Sequence, residues 1–122
     1  MPATKIMIYQ QERIILINPE EIVFCKSNNC YTEICLYDGK RVLAVISLTK
    51  FHKELTSINF IRINQSYIIN KQYIQSIIKK KRSIELENNI IVPFTISLKE
   101  LVSKINEKDG FPAFFEKENK NT

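Results

Sequence analysis

Short apolar runs, each broken by polar residues, divide most of this 122-residue chain into segments of strand length. Ile61 and Ile63 alternate with Arg62 and Asn64, which is the period of a strand with one buried face. Comparable runs cover residues 5–9, 13–17, 22–27, 31–37, 41–46, 67–69, 74–80, 83–87 and 90–92. The pattern predicts a mainly β protein built from short strands.

Turn-forming residues separate these runs and predict hairpins. Asp38-Gly39 lies between two alternating apolar runs, and both residues tolerate the positive φ angles of a type I′ turn. Lys81-Arg82 predicts a second hairpin with a basic tip, and Asn88-Asn89 predicts a third. Asn28-Asn29 marks a break between two further strands.

Two segments change to the helical period. Leu48, Phe51 and Leu55 share one face of a short amphipathic helix, and Ser47 is placed as its N-cap. Later in the chain, Ser97 has the capping-box spacing to a glutamate three residues on, ahead of a second helical apolar period. The predicted fold class is mainly β, with layered short antiparallel sheets and hairpins and two short helices near residues 48–57 and 97–108.

Length and composition fit one domain over residues 1–110, followed by a C-terminal tail at residues 111–122. In the tail, Phe111, Phe114 and Phe115 are expected to pack on the body of the protein or on a neighbouring chain. The N-terminus leads directly into a predicted strand rather than a signal peptide. No apolar run approaches the ~20 residues needed to cross a membrane, so we expect no membrane partner.

The cysteines point to a reducing compartment. Cys25, Cys30 and Cys35 form an odd set that lacks the close pairs of a metal site, and His52 lies far from them in the sequence. All three fall in apolar, strand-like runs, where a free cysteine behaves as a small hydrophobe. We therefore expect a cytoplasmic location and no metal.

Positive charge is concentrated in the middle of the chain. The net charge is +5, but residues 50–82 contain eight Lys or Arg and a single acid, Glu54, whereas the other 89 residues hold ten Lys or Arg and twelve acids. A local excess of this kind is expected of a surface that binds a polyanion. A solvated basic face without a function is the alternative.

The sequence lacks the motifs of common enzyme sites. Gly39 and Gly110 are its only glycines, which leaves no Gly-rich phosphate loop. His52 falls on the polar side of the first predicted helix, a position more typical of a solvated residue than of a catalytic base. Glu85 and Glu87 share one strand face, but the sequence predicts no cleft around them. We expect no enzyme activity and no cofactor.

Residues 60–70, FIRINQSYIIN, resemble the signature of LytTR-type DNA-binding domains, a bacterial regulator family. That signature has F-x-R, two polar residues before serine, and I-V-N, followed by I-x-x-I, which residues 74–77 match. Supporting matches are EIVF at residues 21–24, Asp38-Gly39, Ser47-Leu48 with Glu54-Leu55, and VPFT at residues 92–95. Together they extend over about residues 17–106.

The resemblance implies binding of double-stranded DNA by loops that enter successive major grooves, without a recognition helix. The base contacts that it implies are Asn29, Tyr31, Asn64, Gln65 and Ile96. The phosphate contacts that it implies lie near Ser47, Ser66, Ser97 and Lys99, and the local basic charge adds Arg62, Lys71, Lys79, Lys80, Lys81 and Arg82 as candidates. Arg62 and Asn70 match the signature, and each either contacts DNA or locks the loop from within.

Two departures from the family pattern affect the predicted specificity. Asn64-Gln65 replaces the usual His-Arg pair, and Ile96 stands where the family often has arginine. Amide side chains can bond adenine and isoleucine can contact a thymine methyl, but isoleucine cannot read guanine. We therefore expect a base preference different from that of the family.

Two functional hypotheses follow. The preferred one is a sequence-specific transcription regulator, response-regulator-like, that binds double-stranded DNA as a homodimer or as paired copies on repeated sites. The alternative is a protein-interaction module on the same fold with weakened or lost DNA binding.

Overall fold

The structure, a computed structural model, describes residues 5–55, 59–107 and 110–116. Three antiparallel sheets and two helices account for its regular structure, which confirms the predicted fold class. Neither helix in the described part of the chain has the length or apolarity to cross a bilayer.

The first sheet is a two-stranded hairpin of β1 (Ile6–Tyr9) and β2 (Ile14–Ile17). Ile8 and Ile17 point into the protein and are buried. The opposite face is also apolar but is exposed, and its residues are Met7, Tyr9, Ile14 and Leu16.

The central sheet has five strands in the order β5-β4-β3-β7-β6. Its members are β3 (Ile22–Asn28), β4 (Tyr31–Leu36), β5 (Arg41–Ala44), β6 (Phe60–Arg62) and β7 (Tyr67–Asn70). Between β5 and β6 lies α1 (Leu48–Glu54). The pairing of β3 with β7 joins the three-stranded meander β3-β4-β5 to the hairpin β6-β7, with Cys25 opposite Ile68.

The third sheet has the order β10-β9-β8 and is followed by the second helix. Its strands are β8 (Ile74–Ile78), β9 (Ser83–Leu86) and β10 (Ile90–Pro93), and the helix is α2 (Leu98–Asn106).

The middle of the central sheet is buried on both faces, whereas its edge strand β5 is exposed on one face. On one face, Ile22 and Cys25 pack with the first hairpin and α1, whereas on the other face Val23 and Phe24 pack with the third sheet and α2. A strand covered on both sides needs consecutive apolar residues, which explains the unbroken run from Ile22 to Cys25. The result is a layered arrangement around one sheet.

The predicted hairpins form, but one turn type was wrong. Cys35 pairs with Arg41, and the Gly39 amide donates to the Leu36 carbonyl. The loop therefore has three residues, and only its glycine takes a positive φ, +94°. A type I′ turn would need positive φ at both central residues. The register of the strands, not the Asp-Gly pair, decides the turn.

The helix predictions hold at their starts, but both helices end earlier than predicted. Ser47 accepts a hydrogen bond from the Lys50 amide, and Ser97 accepts one from the Glu100 amide. The second helix ends at Asn106 rather than at residue 108, because Glu107 already has extended backbone angles. The first helix ends at Glu54 rather than near residue 57, because Leu55 has extended backbone angles. Residues 56–57, Lys108 and Asp109 lie outside the described residues.

Two further expectations differ from the structure. Cys25 and Cys35 are buried as predicted, but Cys30 is exposed in the turn between β3 and β4. In the tail, Phe114 and Phe115 are each 90% exposed, so they do not pack on the body of the protein, and packing on a neighbouring chain stays a prediction. Residues 117–122 lie outside the described part of the chain.

Candidate nucleic-acid interface

The loop at residues 63–66, between β6 and β7, is held from within by Arg62. The Arg62 guanidinium donates from Nε to the Asn64 carbonyl at 2.8 Å and from Nη2 to the Gln65 carbonyl at 2.6 Å. Its Nη1 donates to Thr49 Oγ1 on α1 at 3.2 Å. All three guanidinium nitrogens therefore bind protein atoms. The two carbonyls face Arg62, which leaves the Gln65 side chain on the exposed side of the loop.

Asn64 organises the same loop with its side chain. Its Oδ1 accepts hydrogen bonds from the amides of Ser66 at 2.7 Å and Tyr67 at 2.8 Å. Its Nδ2 donates to the Pro93 carbonyl at 2.7 Å. An asparagine that bonds its own backbone two and three residues later forms an Asx turn, which fixes the loop conformation.

The loop at residues 94–97, between β10 and α2, is bonded directly to the first loop. Besides the bond from Asn64 to Pro93, the Thr95 amide donates to the Ile63 carbonyl at 2.9 Å. Ile63 is fully buried beneath this junction. The two loops that carry Gln65 and Ile96 are therefore one bonded unit.

Arg82 holds the second loop from the basic hairpin. Its guanidinium lies 4.7 Å over the centre of the buried Phe94 ring, and its Nη2 donates to the Ile96 carbonyl at 2.6 Å. Arg82 has a positive φ of 47° at the end of a four-residue turn, since Ile78 pairs with Ser83. The three lysines of that turn, which are Lys79, Lys80 and Lys81, are exposed.

The turn between β3 and β4 lies beside the first loop. The Ser27 amide donates to the Ser66 carbonyl at 2.9 Å, and the strand continues past this point to Asn28. Asn29 follows in the turn with a φ of 58°, and Tyr31 is 43% exposed at the start of β4. This turn thus adds a third polar element next to the two bonded loops.

Hydrogen bonds and ring contacts therefore connect many of the predicted site residues. We call the resulting surface the loop strip, and it consists of Asn29, Tyr31, Arg62, Asn64, Gln65, Ser66, Arg82, Ile96 and Ser97. The exposed Lys99 follows Ser97 in the first turn of α2, and Ser47 caps α1 two residues before Thr49. The hairpin lysines adjoin the strip through Arg82.

Lys71 and Asn70 lie at the other end of β7, away from the loop strip. The Lys71 side chain is buried and donates to the carbonyls of Ile105 and Glu107 at 3.2 Å each. The buried Asn70 donates to the Ile22 carbonyl at 2.9 Å and accepts from the Gln72 amide. The structure thus directs the Lys71 ammonium to the C-terminal end of α2, where cations are favourable, rather than to a DNA-facing surface.

Some residues that contact or adjoin the loop strip give no signal in the sequence. Thr49 is an ordinary helix residue in the sequence, yet it accepts a bond from Arg62. Phe94 belongs to an apolar motif, and its role as the support for Arg82 depends on a partner twelve residues earlier. Lys26 is exposed on β3 and lies 6.0 Å from the centre of the Tyr67 ring, so it adds a cation near the strip.

The chemistry of the loop strip is that of recognition. Within the described residues, no hydrogen bond engages the exposed Gln65 side chain, and no group of three His, Cys, Asp or Glu is placed to hold a metal ion. A free amide offers both a donor and an acceptor, as the major-groove edge of adenine requires. The exposed lysines beside the strip place positive charge on the same surface.

Comparison with known proteins places this geometry in a family. Residues 12–108 match the LytTr DNA-binding domain, which confirms the resemblance seen in the sequence. A solved LytTr DNA-binding domain from Bacillus cereus superposes with a TM-score of 0.69 and 18% identity, covering 84% of this chain and 96% of that one. At this identity the likeness shows the fold alone.

Two curated relatives match part of the chain. The heme-containing CO-sensing transcriptional regulators RcoM 1 and RcoM 2 of Paraburkholderia xenovorans (strain LB400) are each 32% identical over 82 residues, or 67% of this chain. The match spans 30% of the length of each regulator.

Proposed function

Because the chain belongs to the LytTR DNA-binding domain family, we propose that it binds double-stranded DNA in a sequence-specific manner and regulates transcription. In this proposal the loops of the strip enter successive major grooves, with Gln65 and Ile96 against base edges. The exposed cations beside them contact phosphates. The role is one of binding rather than catalysis, in the cytoplasm, with residues 1–110 as one DNA-binding domain.

The observation that carries the proposal is the bonded pair of loops around an exposed amide. Base reading needs side chains that are held in a fixed direction before binding, because ordering a loop on the DNA would cost affinity. Gln65 meets this need, because its carbonyl accepts a hydrogen bond from Arg62 and the neighbouring Ser66 is hydrogen-bonded through both its amide and its carbonyl. A solvated basic face without a function would not need two loops that are hydrogen-bonded to each other around an exposed amide.

We assign each candidate residue either to a DNA contact or to a supporting role from its exposure and its hydrogen-bond partners within the protein. Lys79, Lys80, Lys81 and Lys99 are exposed and suit phosphate contacts, as do the hydroxyls of Ser47, Ser66 and Ser97. Asn64 has its Oδ1 and Nδ2 bonded within the protein, so we assign it to loop support. Lys71 is assigned to α2 for the same reason.

Selection of bound sequences from random double-stranded DNA tests the proposal. We expect a short enriched motif, bound at modest salt at least ~10³-fold more tightly than an unrelated duplex of the same length. Comparing DNA with one copy and two copies of the motif then tests paired binding. An enrichment profile indistinguishable from the input library would contradict sequence-specific recognition.

A protein-interaction module on the same fold is the second candidate, and the exposed apolar surfaces favour it. The outer face of the first hairpin exposes Met7, Tyr9, Ile14 and Leu16, each between 46% and 67%. Phe114 and Phe115 are exposed still further in the tail. Contiguous exposed apolar side chains are typical of surfaces that bind another protein.

The two candidate functions predict different effects of a substitution on the exposed face of the first hairpin. A Met7→Ser/Leu16→Ser variant keeps the buried face of the hairpin intact. If DNA binding is the function, its affinity for the selected motif stays within about twofold of the wild type, since the hairpin lies outside the loop strip. Loss of a co-purifying partner in this variant, without any DNA binding by the wild type, would favour the interaction module.

A further inference from the structure

We infer that Arg62 and Arg82 are positioning residues that set base discrimination by fixing the two reading loops, and that they do not bind phosphate. This inference rests on the proposed function. It reassigns two of the arginines in the basic stretch, whose charge alone suggests contacts with the DNA backbone.

The first observation is the number of guanidinium donors already in use. Arg62 donates from Nε, Nη1 and Nη2 to three different protein oxygens, two of them carbonyls of adjacent loop residues. A planar guanidinium can hold two carbonyls in a fixed relative orientation, whereas the single ammonium of lysine cannot. Arg62 thereby determines the direction of the peptide that bears Gln65.

The second observation is that Arg82 contacts the other reading loop, with one hydrogen bond and one ring contact in place of the three hydrogen bonds of Arg62. It stacks on Phe94, the first residue of that loop, and bonds the carbonyl of Ile96, the residue predicted to contact a base. Phe94 is 2% exposed, so it provides a rigid base for the guanidinium. Each reading loop therefore has one arginine bonded to the carbonyl of its reading residue.

The third observation is that the two loops are bonded to each other. The Asn64 side chain reaches Pro93, and the Thr95 amide reaches Ile63. A displacement of one loop is therefore transmitted to the other. We expect that loosening Arg62 changes discrimination at the base pair faced by Ile96 as well as at the one faced by Gln65.

The experiment separates positioning from charge with Arg62→Lys and Arg82→Lys, which keep the positive charge and remove the planar fork. Affinities for the selected duplex and for an unrelated duplex are measured over a range of salt concentrations. The matched control is Lys80→Gln, which removes an exposed cation from the hairpin tip. Circular dichroism melting checks that each variant folds.

We expect Arg62→Lys to lower the ratio of specific to non-specific affinity about tenfold, the effect of losing one charge-assisted hydrogen bond. Its non-specific affinity and salt dependence stay as in the wild type, because the charge is retained. Lys80→Gln lowers both affinities in parallel and leaves the ratio unchanged. A wild-type ratio in both lysine variants would overturn the inference. So would an Arg62→Gln variant in which both affinities fall together and the salt slope drops by about 0.9.

Amide hydrogen exchange in the free protein makes the inference testable even if no DNA sequence is preferred. Arg62→Lys should speed exchange at Ser66 and Thr95, which donate across the loop and between the loops. The amides of the β1–β2 hairpin, which packs in the other core cluster, serve as an internal reference. Unchanged exchange at both positions would refute the positioning role, whereas faster exchange without any sequence preference in the wild type would refute only the proposed function.

Discussion

The side-chain amide of Asn64 donates a hydrogen bond to the Pro93 carbonyl at 2.7 Å, and this contact joins two loops that are 29 residues apart in the sequence. The same side chain accepts two backbone bonds within its own loop. Asn64 was predicted from the sequence as a base contact, and the structure gives its polar atoms partners inside the protein. Its effect on DNA recognition would therefore act through the position of Gln65.

Asn64→Asp tests this relationship. Aspartate keeps the oxygen that accepts from Ser66 and Tyr67 but replaces the donor to Pro93 with a second acceptor, so two oxygens would face each other. We expect the free energy of unfolding to fall by about 0.5–1.5 kcal/mol, the net value of one hydrogen bond, since the Pro93 carbonyl is at an exposed position. Urea denaturation measures it.

The control for this change is Asn29→Asp. Asn29 is exposed in a turn with a φ of 58°, a conformation that both asparagine and aspartate tolerate. We expect its stability to stay within about 0.5 kcal/mol of the wild type. Equal losses in the two variants would show that the added charge, not the bond to Pro93, is responsible.

Gln65→Ala tests the predicted base contact. Since the Gln65 side chain is exposed and the loop is held by backbone and Arg62 bonds, the variant should fold with wild-type stability. Affinity for the selected motif should fall by about 1–3 kcal/mol, the value of one bidentate base contact, with little change for unrelated DNA. Fluorescence anisotropy with both duplexes measures the two losses, and Gln75→Ala, an exposed glutamine on β8, is the matched control. Equal losses on both duplexes would mean that Gln65 only positions the backbone.

Lys71→Met tests the connection between β7 and the second helix. Methionine keeps the apolar stem of the buried lysine but leaves the carbonyls of Ile105 and Glu107 without their shared donor. We expect a loss of about 1–3 kcal/mol in unfolding free energy and faster amide exchange in the last turn of α2. The exposed Lys99 at the other end of that helix provides the control, Lys99→Met. A stable Lys71→Met variant with DNA affinity reduced at every sequence would instead indicate a phosphate contact.

The buried thiols predict a loss of stability at alkaline pH. Burial raises the pKa of Cys35 to about 11 from an ordinary 9.0, and burial raises the pKa of Cys25 still further. The unfolded chain therefore releases these protons at lower pH than the folded protein. Their contribution to stability is complete below about pH 9 and is lost as the pH rises through about 11.

We expect Cys25→Ala/Cys35→Ala to flatten this decline by on the order of 3–4 kcal/mol between about pH 8 and about pH 10.5, because each of the two thiols contributes about 1.4 kcal/mol per pH unit above about pH 9. Urea denaturation at each pH measures the difference. Val23→Ala, at a buried position without a titrating group, lowers stability at every pH and should keep the wild-type slope. If the double cysteine variant also keeps that slope, the thiols do not cause the decline.

Much of the fold could be predicted because its signals are local. The period of apolar residues separates strands from helices over a few residues, and a serine cap bonds an amide three residues later, as Ser47 and Ser97 do. The family signature at residues 60–70 also depends on contiguous residues. These features led to the correct fold class and to the family without any knowledge of long-range contacts.

The turn at Asp38-Gly39 shows what local sequence signals do not predict, which is the length of the loop. The residue pair predicts a hairpin correctly, but the pairing of Cys35 with Arg41 adds a third residue to the loop. Strand register is set by how the whole sheet packs, which no two-residue motif contains.

The direction of each polar side chain was decided by the tertiary structure. Arg62, Asn64 and Lys71 are all polar in the sequence, and each was a candidate DNA contact, with locking of the loop from within as the alternative for Arg62. In the folded protein they bond oxygens of Thr49, Pro93 and Ile105, which lie 13, 29 and 34 residues away. A polar group can turn inward only where distant backbone supplies its hydrogen-bond partner. The sequence by itself determined the elements and the family, and the tertiary structure alone decided which polar residues support the loops and which, like Gln65, remain free to bind.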